Sequence, residues 1–534
     1  MYSNVRHLIT LCVLITFSFG VSGCSTLPKL EARQSSQAIS QEQAKQTQLG
    51  QALQSAIASN APLSGVSLLA EPVNAFATRL HLIQQAEKSL DLQYYIWRDD
   101  ITGRLLLGAL EDAARRNVRI RLLLDDNGTH GLDEELYALA QYPQVEVRLF
   151  NPFYQRKYKI LDFITDAKRV HRRMHNKAFI VDNQVAITGG RNIADEYFAA
   201  NGGTIFADLD VMAVGPIVQE TSQDFDRYWE SAASYPITQL IQAPSPRRLE
   251  DLKRRLLLAN QNPYSSDYRW QLAQSTEVQD ILSGNYPWTW AKTDLVSDDP
   301  LKIFAAEDEA QAILPQLQKV LGMPETRLVL VSPYFIPGQS GVEAFAQMVE
   351  QGVSVKIYTN SFKATDVAIV HAGYKKYRKP LLERGIELVE LREQGNPVAE
   401  SENDEDDVNG ETDQEQISSW MGSSGSSLHA KTFIVDGQRL FIGSFNFDPR
   451  SIHYNTEMGF VIEHPEIAQY LEQQIEDIVP NYAFRLKLDE DGHLQWLRQN
   501  ADGSIETLTK EPDSTLLERI LLEFFSLLPL DRVL

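Results

Sequence analysis

The chain has 534 residues, and its 72 acidic against 50 basic side chains leave a net charge of −22. That field is the opposite of the basic surface used to bind nucleic acid, so no nucleic-acid partner is expected. Two cysteines exclude a disulfide scaffold, and this length supplies ample core for more than one domain.

At the N-terminus, Arg6 and His7 precede an apolar run from Leu8 to Val21. The run is short for a spanning helix and fits the core of a signal peptide. Val21-Ser-Gly-Cys24 resembles a bacterial lipobox. That implies removal of residues 1–23 and acylation of the Cys24 thiol, with Cys12 discarded. Ser25 resembles the outer-membrane sorting pattern. The expected location is the bacterial cell envelope, lipid-anchored and facing the periplasm, at the outer rather than the inner membrane. Residues 24–60, rich in Gln, Ser and Ala, read as a lipidated tether, partly helical at most.

Two similar stretches follow, residues 61–235 and 301–480. Leu90–Ile96 and Arg327–Tyr334 read as strands. Each precedes a helix, Gly103–Arg116 or Gly341–Gln351, and then a strand, Val118–Leu124 or Val353–Tyr358. These βαβ units predict an α/β fold of two tandem domains, with mostly parallel sheets flanked by helices and one shared cleft. Residues 236–300, with Pro287-Trp-Thr-Trp290, read as an irregular connection.

Each half carries the pattern H-x-K-x4-D-x6-G-[GS]-x-N without a gap. The first copy is His175, Lys177, Asp182, Gly189-Gly190 and Asn192; the second is His429, Lys431, Asp436, Gly443-Ser444 and Asn446. The apolar runs Ala178–Val181 and Thr432–Val435 place each motif at the start of a strand, where His and Lys at i and i+2 share a face. Lysine supplies positive charge for the nonbridging oxygens of a phosphodiester. Histidine, with an ordinary pKa of about 6.5, serves as nucleophile or acid near neutral pH. The glycines, Gly190 among them, permit close approach to an anion, and Asn192 and Asn446 offer amide donors. Asp182 and Asp436 belong to the same candidate catalytic set, and before Asn183 and Gly437 they also read as turn formers.

These motifs resemble the signature of the phospholipase D superfamily. The flanking stretches Arg173–Phe179, Gly189–Ile193, Phe441–Ser451, Asn455–Gly459 and Thr365–Tyr374 are similar to bacterial cardiolipin synthases of the C type. The resemblance spans roughly Leu68 to Pro480. It implies phosphatidyl transfer between phospholipids, phosphatidylglycerol with a second phosphatidylglycerol or phosphatidylethanolamine, at a membrane surface and without metal or cofactor. It implies a phosphohistidine on His175, with His429 as acid and base. Hydrolysis to phosphatidic acid is the alternative, and a nuclease is disfavoured by charge. The resemblance also implies a carboxylate to orient each His, 25–35 residues after it. That points to Asp208, with Asp210 as competitor, and to Glu457.

The acidic stretch from Glu400 to Glu415 reads as a solvated loop, with gating of the cleft as the alternative. Arg169, His171, Arg172 and Arg173, and likewise Lys375, Lys376, Arg378 and Lys379, form basic clusters suited to a cleft rim or to exposed solubilising charge. His371 reads as an acceptor contact. Residues 481–534 read as hairpins at Asp491-Gly492 and Asp502-Gly503, then an amphipathic helix through Leu516–Leu528. That helix is expected to cap the second domain, with lying on a membrane as the alternative.

Overall fold

The computed structural model describes residues 27–31, 33, 35–200, 205–259, 266–305, 313–393, 426–500 and 502–527. The signal peptide, Cys24 and the acidic segment lie outside the described residues.

The first half contributes strands β1 (Ser64–Leu69), β2 (Ser89–Ile96), β3 (Arg119–Gly128), β4 (Val145–Phe150), β5 (Ala178–Val181), β6 (Val185–Gly189), β7 (Ile205–Ala207), β8 (Asp210–Val214) and β9 (Ser234–Pro236). Next come β10 (Thr289–Ser297), β11 (Arg327–Val331), β12 (Ser354–Asn360), β13 (Glu387–Leu391), β14 (Ser426–Leu428), β15 (Thr432–Val435), β16 (Arg439–Gly443) and β17 (Met458–Glu463). The chain ends with β18 (Ala483–Leu488), β19 (Leu494–Gln499) and β20 (Ile505–Leu508).

Eighteen of these strands form one continuous hydrogen-bonded ribbon. β10 joins the halves by pairing with β1 through its first residues and with β17 through the rest. Among the described residues, parallel pairing between strands is confined to β2–β3–β4, β11–β12–β13 and the separate pair β7–β14. The expectation of mostly parallel sheets therefore holds only for the βαβ units. The motif strands return as hairpins, β5–β6 and β15–β16, because Asp182-Asn183 and Asp436-Gly437 supply turn residues with positive φ.

The central strands are buried on both faces, which explains their near-continuous apolar runs. Phe179 and Val181 of β5 enter a core with the helices Pro72–Gln85 and Ile101–Arg115, while Ile180 points the other way. The middle core holds Ile180 and Val211 from one half, Val329 and Ile434 from the other, and the helices Pro216–Glu230 and Pro465–Tyr482. A third core covers the outer face of the second half. Among the described residues no helix is long and apolar enough to cross a membrane.

Three segments differ from expectation. The supposed tether is docked from about Arg33 onward. Trp229 Nε1 donates to Ser36 Oγ, Ala38 N to Asp226, and Arg121 to Ser36 O. The helix Gln48–Asn60 buries Leu49 and Leu53. Its polar composition hid this docking because hydrogen bonds, rather than apolar area, hold much of it. The connection 236–300 is largely regular. Leu256, Tyr268, Leu272 and Ile281 pack into the first core, and β10 follows. The C-terminal hairpins extend the second sheet through β13–β18 pairing. The helix Leu516–Ser526 lies on the helix Ala368–Lys375 but buries only Leu522, so it caps little of the domain.

Candidate active site

The two motifs meet where the halves face each other. A cleft of about 300 Å³ is lined by His175 and His429, with Tyr95, Tyr197, Tyr334, Asn446 and Arg450 among its walls. Both histidines are buried, as are Lys177 and Lys431.

Each histidine is oriented by the other half. His175 Nδ1 lies 2.8 Å from Glu457 Oε2, and His429 Nδ1 lies 2.5 Å from Asp208 Oδ2. The reading that each carboxylate follows its own histidine is corrected to a crosswise one. The backbone explains it. β14 leads into His429 and pairs in parallel with β7, which leads into Asp208, so the next residues meet. His429 N donates to Ala207 O. On the other side Met174 bridges Thr456, and His175 N donates to Thr456 O, one residue before Glu457. Asp210 is excluded as competitor: it is held by Arg79 at 2.7 Å and by Arg191.

The glycine pair makes room for carboxylates of the chain itself rather than for a ligand. A Cβ on Gly190 would lie 2.0 Å from Asp208 Oδ1, and one on Gly189 would lie 2.2 Å from Asp210 Oδ1. The second motif has Ser444 where the first has Gly190. Its Oγ donates to Glu457 Oε2 at 2.5 Å, and its carbonyl accepts from His175 Nδ1 at 3.1 Å. A glycine thus accompanies the buried Asp, and a hydrogen-bonding serine accompanies the longer Glu.

Lys177 Nζ donates to His175 O at 2.6 Å, and Lys431 donates likewise to His429 O. Lys431 Nζ also sits 2.9 Å from His429 Nδ1. Burial lowers Lys177 to about 7 and Lys431 to about 8. Burial, then Lys177 and Lys431, hold His175 well below its ordinary value. Burial and Lys431 lower His429, while Asp208 works to raise it. Against burial, His429 and Lys431 hold Asp208 well below the usual carboxylate range, whereas burial pushes Glu457 up to about 7. His175 is therefore the more strongly neutral imidazole. Glu457 and Ser444 O at Nδ1 select the tautomer with the proton there, which leaves Nε2 as a lone-pair nitrogen.

Other expected residues lie elsewhere. Asp182 accepts from the amides of Glu87, Lys88 and Ser89, and Asp436 from those of Glu325, Thr326 and Arg327. They pin the turns before β2 and β11, seven extended residues from each histidine, about 23 Å at roughly 3.3 Å per residue. Neither reaches the cleft. Asn192 spends its amide on Tyr197 OH at 2.8 Å and its carbonyl on Ile96 N. The Oδ1 of Asn446, by contrast, is buried without a hydrogen bond among the described residues. His371 is buried against Glu511 and Arg378 and is not among the residues that line the cleft. The basic clusters are mostly spent: Arg173 on Asp125, Arg169 on Asp166, Lys375 on Glu523.

Sequence reasoning missed the cleft aromatics. Tyr95 and Tyr197 meet His175 and His429 edge-on at 5.0 and 5.1 Å, and Phe206 stacks on His429 at 5.1 Å. It also missed Tyr334, whose hydroxyl donates to Asp366 at 2.7 Å. Tyr95 and Tyr334 fall at the ends of the expected strands facing the motifs, which was the available signal.

A family model described as "Cardiolipin synthase, PLD-like domain" matches residues 80–229 and 317–479. The chain is 44% identical over 475 residues to cardiolipin synthase C of Escherichia coli strain K12, covering 88% of this chain and 96% of that one. It is 31% identical to an uncharacterized protein of Helicobacter pylori, over 78% of this chain and 79% of that one. The crystal structure of phosphatidylserine synthase from Haemophilus influenzae superposes with a TM-score of 0.53 at 15% identity, covering 91% of this chain and 99% of that one, which is a likeness of fold. The chain belongs to the cardiolipin synthase family of phospholipase D-like proteins.

Proposed function

We propose that this chain is a phosphatidyltransferase that makes cardiolipin from phosphatidylglycerol and a second phospholipid. The observation that carries the reading is the pair of buried histidines in one cleft, each with a carboxylate on Nδ1 and a lysine beside it. His175 Nε2 attacks the phosphorus of the donor. The P–O bond to the headgroup breaks, an N–P bond forms, and His429 passes a proton to the leaving alcohol oxygen. A headgroup hydroxyl of the acceptor then attacks, His429 takes its proton, and the N–P bond breaks to free His175. Splitting the displacement in this way replaces one hard step by two easier ones. The more strongly neutral state of His175 supports its assignment as nucleophile. Asp208 next to His429 supports a group that holds and returns a proton. Lys177, Lys431 and the Asn446 amide bind the nonbridging oxygens.

The expected setting is the periplasmic side of the envelope, with Cys24 acylated and the catalytic part at the lipid surface. Product analysis tests the reading. Purified protein is given phosphatidylglycerol alone, and then with phosphatidylethanolamine, in EDTA. Cardiolipin is the expected product, and its dependence on phosphatidylethanolamine names the donor. Phosphatidic acid without cardiolipin would make the enzyme a phospholipase instead.

A further inference from the structure

Two apolar patches face outward beside the cleft, one on each half. On the second half, the helix Leu516–Ser526 opens with a capping box between Thr515 and Glu518. Glu518 also pairs with Lys363 at 2.7 Å, and Glu523 with Lys375. Just upstream, buried Glu511 makes a two-pronged contact with Arg378 at 2.8 and 2.9 Å, and Arg378 also holds Glu390 at 2.7 Å. The helix is thus fixed in orientation. Yet Leu522 alone of its apolar side chains turns inward, against Ala372 and Phe362. Leu517 is 66% exposed and Phe524 59% exposed, with Leu516, Ile520 and Leu521 beside them. The supporting helix Ala368–Lys375 carries Val370 into the cleft wall.

The first half repeats the arrangement with different parts. The loop after β4 is pinned by Arg156 and Lys159 to buried Asp126 and by Asp162 to the amides of Tyr154 and Gln155. Its apolar side chains nevertheless point out: Ile164 is 77% exposed, and Tyr158, Ile160 and Leu161 are exposed with it. Phe163 of this loop contacts the His171 ring at 5.3 Å, and His171 O accepts from Arg450, a cleft residue.

Exposed apolar side chains on segments held in place by ion pairs are not the residue of loose packing. Patches of this kind mark a surface that another phase or molecule covers. The adjoining charge selects the occupant. In a chain of net charge −22, exposed Lys157 and Lys168 lie in the segment of the first patch and exposed Lys510 lies six positions before the helix of the other, with no ion pair among the described residues. Apolar side chains rimmed by lysine match an anionic phospholipid surface. We infer that the two patches seat the enzyme on a phospholipid bilayer with the cleft between them at the lipid surface, independently of any N-terminal acyl anchor. This inference rests on the reading of the cleft as a phospholipid site.

The test uses the full chain with Cys12→Ser and Cys24→Ser, and one new cysteine as Phe524→Cys, Ile164→Cys or Glu350→Cys. Each carries a solvent-sensitive fluorophore and is mixed with vesicles of phosphatidylglycerol and phosphatidylethanolamine. Glu350 ends the helix Gly338–Glu350, about 18 Å from the cleft edge at 1.5 Å per residue. All three proteins share the same N-terminal segment, so a difference between the labels reports orientation. Emission from positions 524 and 164 is expected to shift to the blue and to be quenched by spin-labelled acyl chains, with position 350 unchanged. Equal behaviour at all three positions would overturn the inference. So would a blue shift at 524 that grows with protein concentration without vesicles, since a second copy would then cover the helix. Lipid turnover by the unlabelled chain is measured separately. Its absence beside the expected shifts would remove the proposed function and leave the docking.

Discussion

His175 Nδ1 lies 2.8 Å from Glu457 Oε2, although 282 residues separate the two in the chain. His429 and Asp208, 221 residues apart, repeat the contact in the opposite direction. Neither half therefore contains a complete catalytic unit. Each histidine takes its tautomer and orientation from the other half, so loss of registry between the halves disables both histidines at once.

Glu457→Gln keeps the size of the side chain but offers Nδ1 no charged acceptor. By analogy with other His–carboxylate pairs, kcat is expected to fall on the order of 10²–10⁴-fold with little change in KM. Asp208→Asn is expected to act on His429 in the same range. Steady-state kinetics on folded, purified variants checks both, and a loss confined to KM would contradict the orienting role.

Gly190→Ala places a Cβ against the Asp208 carboxylate, where only 2.0 Å is available. The carboxylate must move, and His429 loses its partner. Ser444→Ala removes only a hydroxyl from Glu457 and leaves the space as it was. The first substitution is expected to reduce kcat at least tenfold more than the second. The reverse order would show that the glycine does not serve Asp208.

Asp182→Ala leaves the amides of Glu87, Lys88 and Ser89 without their acceptor. The expected cost is roughly 1–3 kcal/mol of stability, read as a lower thermal midpoint. The kcat of the remaining folded protein should change less than threefold. A thousandfold loss of kcat with an unchanged midpoint would return Asp182 to the chemistry.

The pH profile follows from the buried cations. In the proposed mechanism Lys177 and Lys431 hold phosphate oxygens only when charged, and burial lowers them to about 7 and about 8. As pH rises through that window, kcat/KM should fall. On the acid side it should rise as His175, held below its ordinary value, loses its proton. The limbs describe coupled groups rather than single residues. A bound phosphodiester anion favours the charged lysines, so the alkaline limb of kcat should lie above that of kcat/KM. Lys177→Arg, always charged, should move the alkaline limb upward toward the range of Lys431. A flat profile from pH 6 to 10 would contradict this.

Much of the site was legible because it is local. His175 and Lys177, and their counterparts, sit two residues apart just before a strand, and a gapless repeat shows without any knowledge of contacts. The crosswise carboxylates were not legible, because they depend on β7 pairing with β14 and on Met174 bridging Thr456. The family resemblance pointed to Asp208 and Glu457 but attached each to the wrong histidine. The role of Gly190 was misread for the same reason, since the anion beside it is Asp208, 18 residues on, in the link between β7 and β8. The docked segment near Ser36 was misread because its partners, Trp229 and Asp226, are hydrogen-bonding groups that leave no apolar period behind. The parallel sheet was overextended from β2–β3–β4, where a helix makes the crossover, to strands joined by two-residue turns.

The most direct test is rapid quenching of the enzyme during turnover of phosphatidylglycerol, followed by mass mapping of the peptide that carries His175. A phosphatidyl adduct on His175, absent from His175→Ala together with cardiolipin formation, is the predicted result. An adduct on His429, or cardiolipin still formed by His175→Ala, would contradict it.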